Sequence, residues 1–188
     1  MENRQNDISD EKILELMNSP ATADQGLRLL MDKYSRELYW VIRRIVYDHE
    51  DSNDVLQNCL VKVYRNIHTF EGRSKLYTWL RRIAHNEAIS FYNSRKRRRA
   101  TSIDDEESYV GQTLSADPYF DGSEAQVILQ KAIATLPDKQ KQVFLLRYYE
   151  EMPYAQMSEM LGTSEGALKA SFHHAVKKIE TYVSNVKA

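Results

Sequence analysis

The chain has 188 residues, room for one ordinary domain or two small ones, and its 42% hydrophobic and 28% charged residues exclude a disordered or collagen-like polymer. Six glycines and four prolines supply too few tight turns for a barrel or sandwich of short strands, so an all-α fold is expected. The formal charge of −1 conceals a segregation: residues 73–99 carry nine basic groups and one acidic, net +8, whereas residues 100–127 carry seven acidic groups and no basic one. That juxtaposition points to a polyanion-binding surface beside an acidic connector, against the blander alternative of a solvated helix end.

Residues 1–21 form an N-terminal extension. Met1 to Met17 is polar and acidic where a secretory signal is basic and then apolar, so export is not expected. The longest apolar run, Leu38 to Ile42, falls far short of the roughly 20 residues that span a bilayer. A cytoplasmic location follows, and the single cysteine, Cys59, fits it: it lies among Leu56, Leu60 and Val63 at helical spacing and is expected in a core rather than in a disulfide.

The first helical block is expected over residues 22–99. Thr22 and Gln25 have capping-box spacing ahead of a stripe of Leu27, Leu30, Met31, Tyr34, Leu38, Val41, Ile42 and Ile45. A second stripe runs from Leu56 to Ile67. A third follows Ser74, a candidate N-cap, with Leu76, Trp79, Leu80 and Ile83, and runs into Arg95-Lys96-Arg97-Arg98-Arg99. Trp79 reads as core, and the three stripes suit a small bundle.

Periodicity stops from Ala100 to Gly122, a segment rich in Asp, Glu, Ser and Gly that is expected to be a flexible acidic linker. The second block, residues 123–188, opens on another capping box, Ser123 with Gln126, before Val127, Ile128, Leu129, Ala132, Ile133 and Leu136. Pro137 and Pro153 suit the starts of two further helices. From Tyr154 to His173 the order is Met157, small Ser158, Leu161, then Gly162 where the chain must turn, then Thr163 or Ser164 as a cap, then Leu168: the spacing of a helix-turn-helix.

Together these features resemble an extracytoplasmic-function (ECF) sigma factor, the two-domain class of the sigma-70 family, over roughly Leu27 to Ile179. Asp54-Val55 with Gln57, Leu60, Val63 and Tyr64 resembles the region-two helix that docks on polymerase. Phe70-Glu71-Gly72-Arg73-Ser74 and Tyr77 to Asn86 resemble the stretch that recognises and opens the minus-ten promoter element. Leu136-Pro137 to Leu145 and the helix-turn-helix resemble region four, which reads the minus-thirty-five element. Ser90 and Asn93 stand where the family usually has Asp and Arg, and residues 169–176 are poorer in Arg than many recognition helices, so promoter preference stays open.

The resemblance implies core RNA polymerase and promoter DNA as partners, with an anti-sigma factor as a further one, and no cofactor. It assigns polymerase binding to Asp54 and Gln57 and the capture of a flipped minus-ten base to Phe70 and Asn86. Those residue types suit the task. Phe70 and Tyr77 offer stacking faces, Asn86 can pair with a base edge, and Arg73, Lys75, Arg81 and Arg82 can neutralise phosphates. Alternatively, Phe70 closes the bundle and Asn86 bridges helices. In the second block, Ser164, Glu165, Gly166, Lys169, Ala170 and His173 occupy the part of a recognition helix that enters a major groove, with a solvated face as the alternative. Adjacent His173 and His174 point apart, which argues against a shared metal.

Catalysis is not expected. His85-Asn86-Glu87 supplies the H-x-E half of a zinc deaminase site, but the P-C-x-x-C half is missing, as are a phosphate-binding glycine loop, HExxH and G-x-S-x-G. The competing function is a stand-alone helix-turn-helix regulator that binds duplex DNA unaided. A helical adaptor without nucleic-acid contacts leaves the +8 segment unexplained.

Overall fold

The computed structural model describes residues 8–99, 103–117 and 123–187, and the described residues are helical with connecting turns. The expected linker positions 100–102 and 118–122 lie outside the described residues. The helices are α1 (Asp10–Met17), α2 (Ala23–Val46), α3 (His49–Asn66) with a 3-10 turn (Ile67–Thr69), α4 (Leu76–Arg99), α5 (Ile103–Ala116), α6 (Glu124–Ala134), α7 (Asp138–Tyr148), α8 (Tyr154–Leu161) and α9 (Glu165–Lys187). They fall into two compact units, Met1–Arg98 and Arg99–Ala188.

In the first unit, α2 and α3 pack through the expected stripes. Leu30, Leu38, Ile42 and Ile45 of α2 and Val55, Cys59 and Val63 of α3 are buried, each worth about 1.5–3 kcal/mol for a large aliphatic side chain. Tyr47 joins the two helices at φ 69°, a left-handed conformation that costs a non-glycine residue about 1–3 kcal/mol. Burial of its ring, edge-on to Tyr92 of α4, offsets that cost. Two ion pairs, Lys62 with Glu87 and Arg95 with Asp51, tie α3 to α4.

The N-terminal extension is not an appendage. Ile13 and Met17 of α1 are buried, and Asp10 accepts hydrogen bonds from Lys33 Nζ (2.7 Å) and Tyr34 Oη (2.5 Å) on α2. Burial alone would raise the Asp10 carboxyl, but these bonds hold it below its ordinary value. The contact is close because of a glycine: a Cβ at Gly26 would lie 2.6 Å from Met17 Cγ and 2.8 Å from its backbone nitrogen. Thr22 does not form the expected capping box. Its hydroxyl instead donates to the Leu16 carbonyl at 2.9 Å, fastening the α1–α2 turn, so it is spent on tertiary structure.

The second unit departs from expectation in α5. The segment expected as a flexible acidic linker carries a helix from Ile103 to Ala116 whose Val110 and Leu114 are buried, with α6 as its neighbour. Tyr182 of α9 donates to the Glu107 carboxylate at 2.5 Å. Two apolar residues one turn apart are too few to show as a stripe among acids, which is why the helix escapes a sequence scan. The Ser123–Gln126 capping box forms as expected at α6. Val143, Leu146, Met152, Met157 and Leu168 make the core joining α7, α8 and α9.

Candidate nucleic-acid interface

The first group of candidate residues is arranged by a loop and one face of α4. Phe70 follows the 3-10 turn, its amide bonded to the Ile67 carbonyl at 3.0 Å, and Gly72 reverses the chain at φ 70°. Lys75 starts α4 by accepting from the Thr78 and Trp79 amides at 3.0 and 3.3 Å. At about 100° per residue, Lys75, Trp79, Arg82 and Asn86 share one sector of this helix, opposite the buried Leu76, Leu80, Ala84, Ala88 and Tyr92. Lys75, Arg82 and Asn86 are exposed, and the half-buried Phe70 ring lies 5.6 Å from that of Trp79. Trp79 is half-buried rather than enclosed in the core. It belongs to the stepping of Lys75 and Arg82 and not to that of Leu76 and Leu80, and it forms the wall against which Phe70 rests.

Tyr77 and Arg81 are not brought to this sector. They lie on the opposite, inward-facing side of α4, among its buried residues, where Tyr77 stacks on Tyr34 at 5.7 Å and the Arg81 guanidinium sits 5.5 Å from the Tyr77 ring centroid. Next to Asn86 but turned inward, His85 is only 1% exposed; burial, aided by the Arg81 charge, pushes its pKa down to about 4, so it is neutral. Arg73, beside the loop, is exposed and paired with Glu71 at 2.6 Å. Of the basic run that ends α4, Arg95 is committed to Asp51.

On α3, Asp54 and Gln57 are exposed and one turn apart. The same face carries Val61 and Tyr64, 48% and 40% exposed; Tyr64, expected in the apolar stripe of α3, faces outward and with Val61 adds apolar surface to the candidate docking face.

In the second unit Gly162 ends α8 at φ 61°, and Ser164 caps α9 by accepting from the Ala167 amide at 3.4 Å. Leu168 turns into the core, which leaves Glu165, Gly166, Lys169, Ala170 and His173 exposed along the first two turns. A Cβ at Gly166 would meet nothing within 4 Å, so packing inside this unit does not require glycine there. His174 is exposed too; its ring centroid is 6.1 Å from that of His173, the two rings tilted by 60°. Among the described residues no group of three or more His, Cys, Asp or Glu is placed to hold a metal, and no helix is long and apolar enough to cross a membrane.

Two family models match these two units in order: sigma-70 region 2 over residues 30–98 and sigma-70 region 4 over residues 126–179. The chain belongs to the sigma-70 family, in its extracytoplasmic-function class. An ECF RNA polymerase sigma-E factor of Haemophilus influenzae is 29% identical over 167 residues, 85% of this chain and 88% of that protein. The sigma-E factor of Escherichia coli is 25% identical over 185 residues, 94% and 95% of the two chains. Among solved structures, the sigma factor RpoE of Bartonella quintana, in complex with the anti-sigma factor NepR, aligns with a TM-score of 0.64 at 22% identity, covering 86% of this chain and 97% of that one. CnrH, in complex with the cytosolic domain of CnrY, gives 0.64 at 17%, covering 94% and 97%. At such identities the two structures speak to the fold, which is that of a sigma factor with regions two and four. Sigma-70 factors are initiation factors that bind core RNA polymerase and promoter DNA, and that is the function of this chain.

Proposed function

We propose that the outward sector of α4 and the loop before it form the minus-ten reader, with Phe70 and Asn86 capturing a base flipped from the duplex. One observation carries this assignment: Asn86 is exposed on the same sector as Trp79, whose ring braces Phe70, with Lys75 and Arg82 flanking it. An aromatic face and an amide edge are what an unpaired base needs, and the cations hold its backbone. Tyr77 and Arg81 support α4 from the side of Tyr34. The exposed start of α9 reads the minus-thirty-five element through Ser164, Glu165, Gly166, Lys169, Ala170 and His173. Asp54 and Gln57 dock on core polymerase, assisted by Val61 and Tyr64.

The chemistry of RNA synthesis belongs to the polymerase, and this protein acts without a catalytic site of its own, in the cytoplasm, where polymerase works. An anti-sigma factor is a further partner, by analogy with RpoE of Bartonella quintana, solved with the anti-sigma factor NepR. The test of the minus-ten assignment is permanganate footprinting of a promoter with holoenzyme. Phe70→Ala or Asn86→Ala is expected to weaken opening roughly tenfold to a hundredfold while duplex binding changes less. Unchanged opening by folded variants contradicts the assignment.

A further inference from the structure

The lysine in the exposed start of α9 lies near an aromatic ring outside that helix. Lys169 Nζ lies 5.5 Å from the centroid of the Tyr154 ring at the start of α8, and 3.6 Å from the Glu165 carboxylate one turn back on α9. The Arg147 guanidinium of α7 lies 5.3 Å from the same ring centroid, and its Nη1 donates to the carbonyls of Glu151 and Met152 at 3.3 Å each. Glu151 has φ 48°, so Arg147 fastens a strained turn as well as meeting the ring. Tyr154 itself is partly buried against the core of Val143, Leu146, Met152, Met157 and Leu168. Three helices and one turn thus meet at a single, partly buried ring.

An exposed lysine has many rotamers of similar energy, and the Glu165 carboxylate draws Nζ back along its own helix. The ring offers a competing place, set by α8 and not by α9. Attraction of a cation to an aromatic face at a partly exposed site biases the population roughly twofold to fivefold. We propose that Tyr154 is a positioning residue for promoter reading: its ring, braced by Arg147, holds Lys169 where the recognition helix meets minus-thirty-five DNA. This rests on the function proposed for α9, and it makes base preference depend on an aromatic residue of the preceding helix.

The test uses the complete protein assembled with core polymerase, a promoter and its single-base minus-thirty-five variants. Tyr154→Phe keeps the ring and is expected to match the wild type. Tyr154→Met is expected to lose twofold to fivefold in affinity and to flatten preference at the base that Lys169→Ala flattens. The double variant should lose no more than Lys169→Ala alone, because Tyr154 acts through that lysine. Should the methionine variant not fold, Tyr154→Leu serves the same comparison. In the free protein, the ring current should shift the Lys169 ε-methylene protons upfield in the wild type and Tyr154→Phe but not in Tyr154→Met or Tyr154→Leu. Additive losses in the double variant, a phenylalanine variant as impaired as the methionine one, or an absent ring-current shift overturns the role of Tyr154. A wild-type holoenzyme with no minus-thirty-five preference overturns the function of α9 and this inference with it.

Discussion

His85 shows how one buried side chain sets a pH limit on the fold. Its pKa falls from an ordinary 6.5 to about 4 through burial and the Arg81 charge, and its Nε2 has no hydrogen-bond partner. Between these values the unfolded chain binds a proton that the folded chain does not, so stability is complete above about pH 6.5 and is lost as the pH falls toward 4. At 1.36 kcal/mol per unit the loss amounts to about 3 kcal/mol. Urea titrations at pH 7 and pH 4.5 should show it, and His85→Leu, which leaves nothing to protonate, should flatten the difference; an equal slope in both proteins contradicts it. Cys59 offers a second check at this scale. It is fully buried, and burial, together with the Glu87 charge, pushes its thiol up to about 12. It should resist a thiol-specific disulfide reagent in the native protein and react on unfolding; rapid native modification contradicts this placement.

At the scale of elements, what could be read in advance was whatever repeats or caps locally. The stripes of α2 and α3, apart from the exposed Met31 and Tyr64, the Ser123–Gln126 box and the glycine turn at Gly162 are each written within a few consecutive residues, and each is present. Features that depend on a distant partner were not legible. Thr22 has the right spacing to cap α2 but is engaged by the Leu16 carbonyl, and Trp79 looks apolar in sequence yet stands beside Phe70 on an outward sector. The α5 helix hides because its acids dominate its composition, whereas its contribution comes from Val110 and Leu114. Leu114→Ala should therefore cost about 2–5 kcal/mol in the second unit, as for any buried leucine truncated in a core. A thermal unfolding midpoint unchanged by that substitution would return residues 103–116 to the status of a connector. The candidate site was legible as residue types, Phe70 and Asn86 especially, but not as geometry: only the helix shows that Tyr77 and Arg81 face away from Asn86.

On the scale of the whole molecule, charge and task are divided together. The positive segment lies largely in the unit proposed to read the minus-ten element, while the start of α9, the proposed minus-thirty-five reader, presents few cations, Lys169 foremost. Backbone contacts by Arg82 and Lys75 should then contribute much of the salt dependence of promoter binding, and Arg82→Ala in the holoenzyme should flatten the log-log salt slope by about one unit. Two readers in separate compact units gain from each other only when something fixes their spacing, because the second contact is strengthened only if both can be made at once. Under the proposed function, core polymerase is that scaffold. The direct measurement is run-off transcription from a candidate promoter by core polymerase, with and without the purified protein, alongside duplex binding by the protein alone. Initiation at a defined start only when both protein and core are present, with little sequence-specific binding by the free protein, is the expected result. Tight sequence-specific duplex binding by the free protein, with no initiation when core is added, would contradict the account and leave a stand-alone helix-turn-helix regulator in its place.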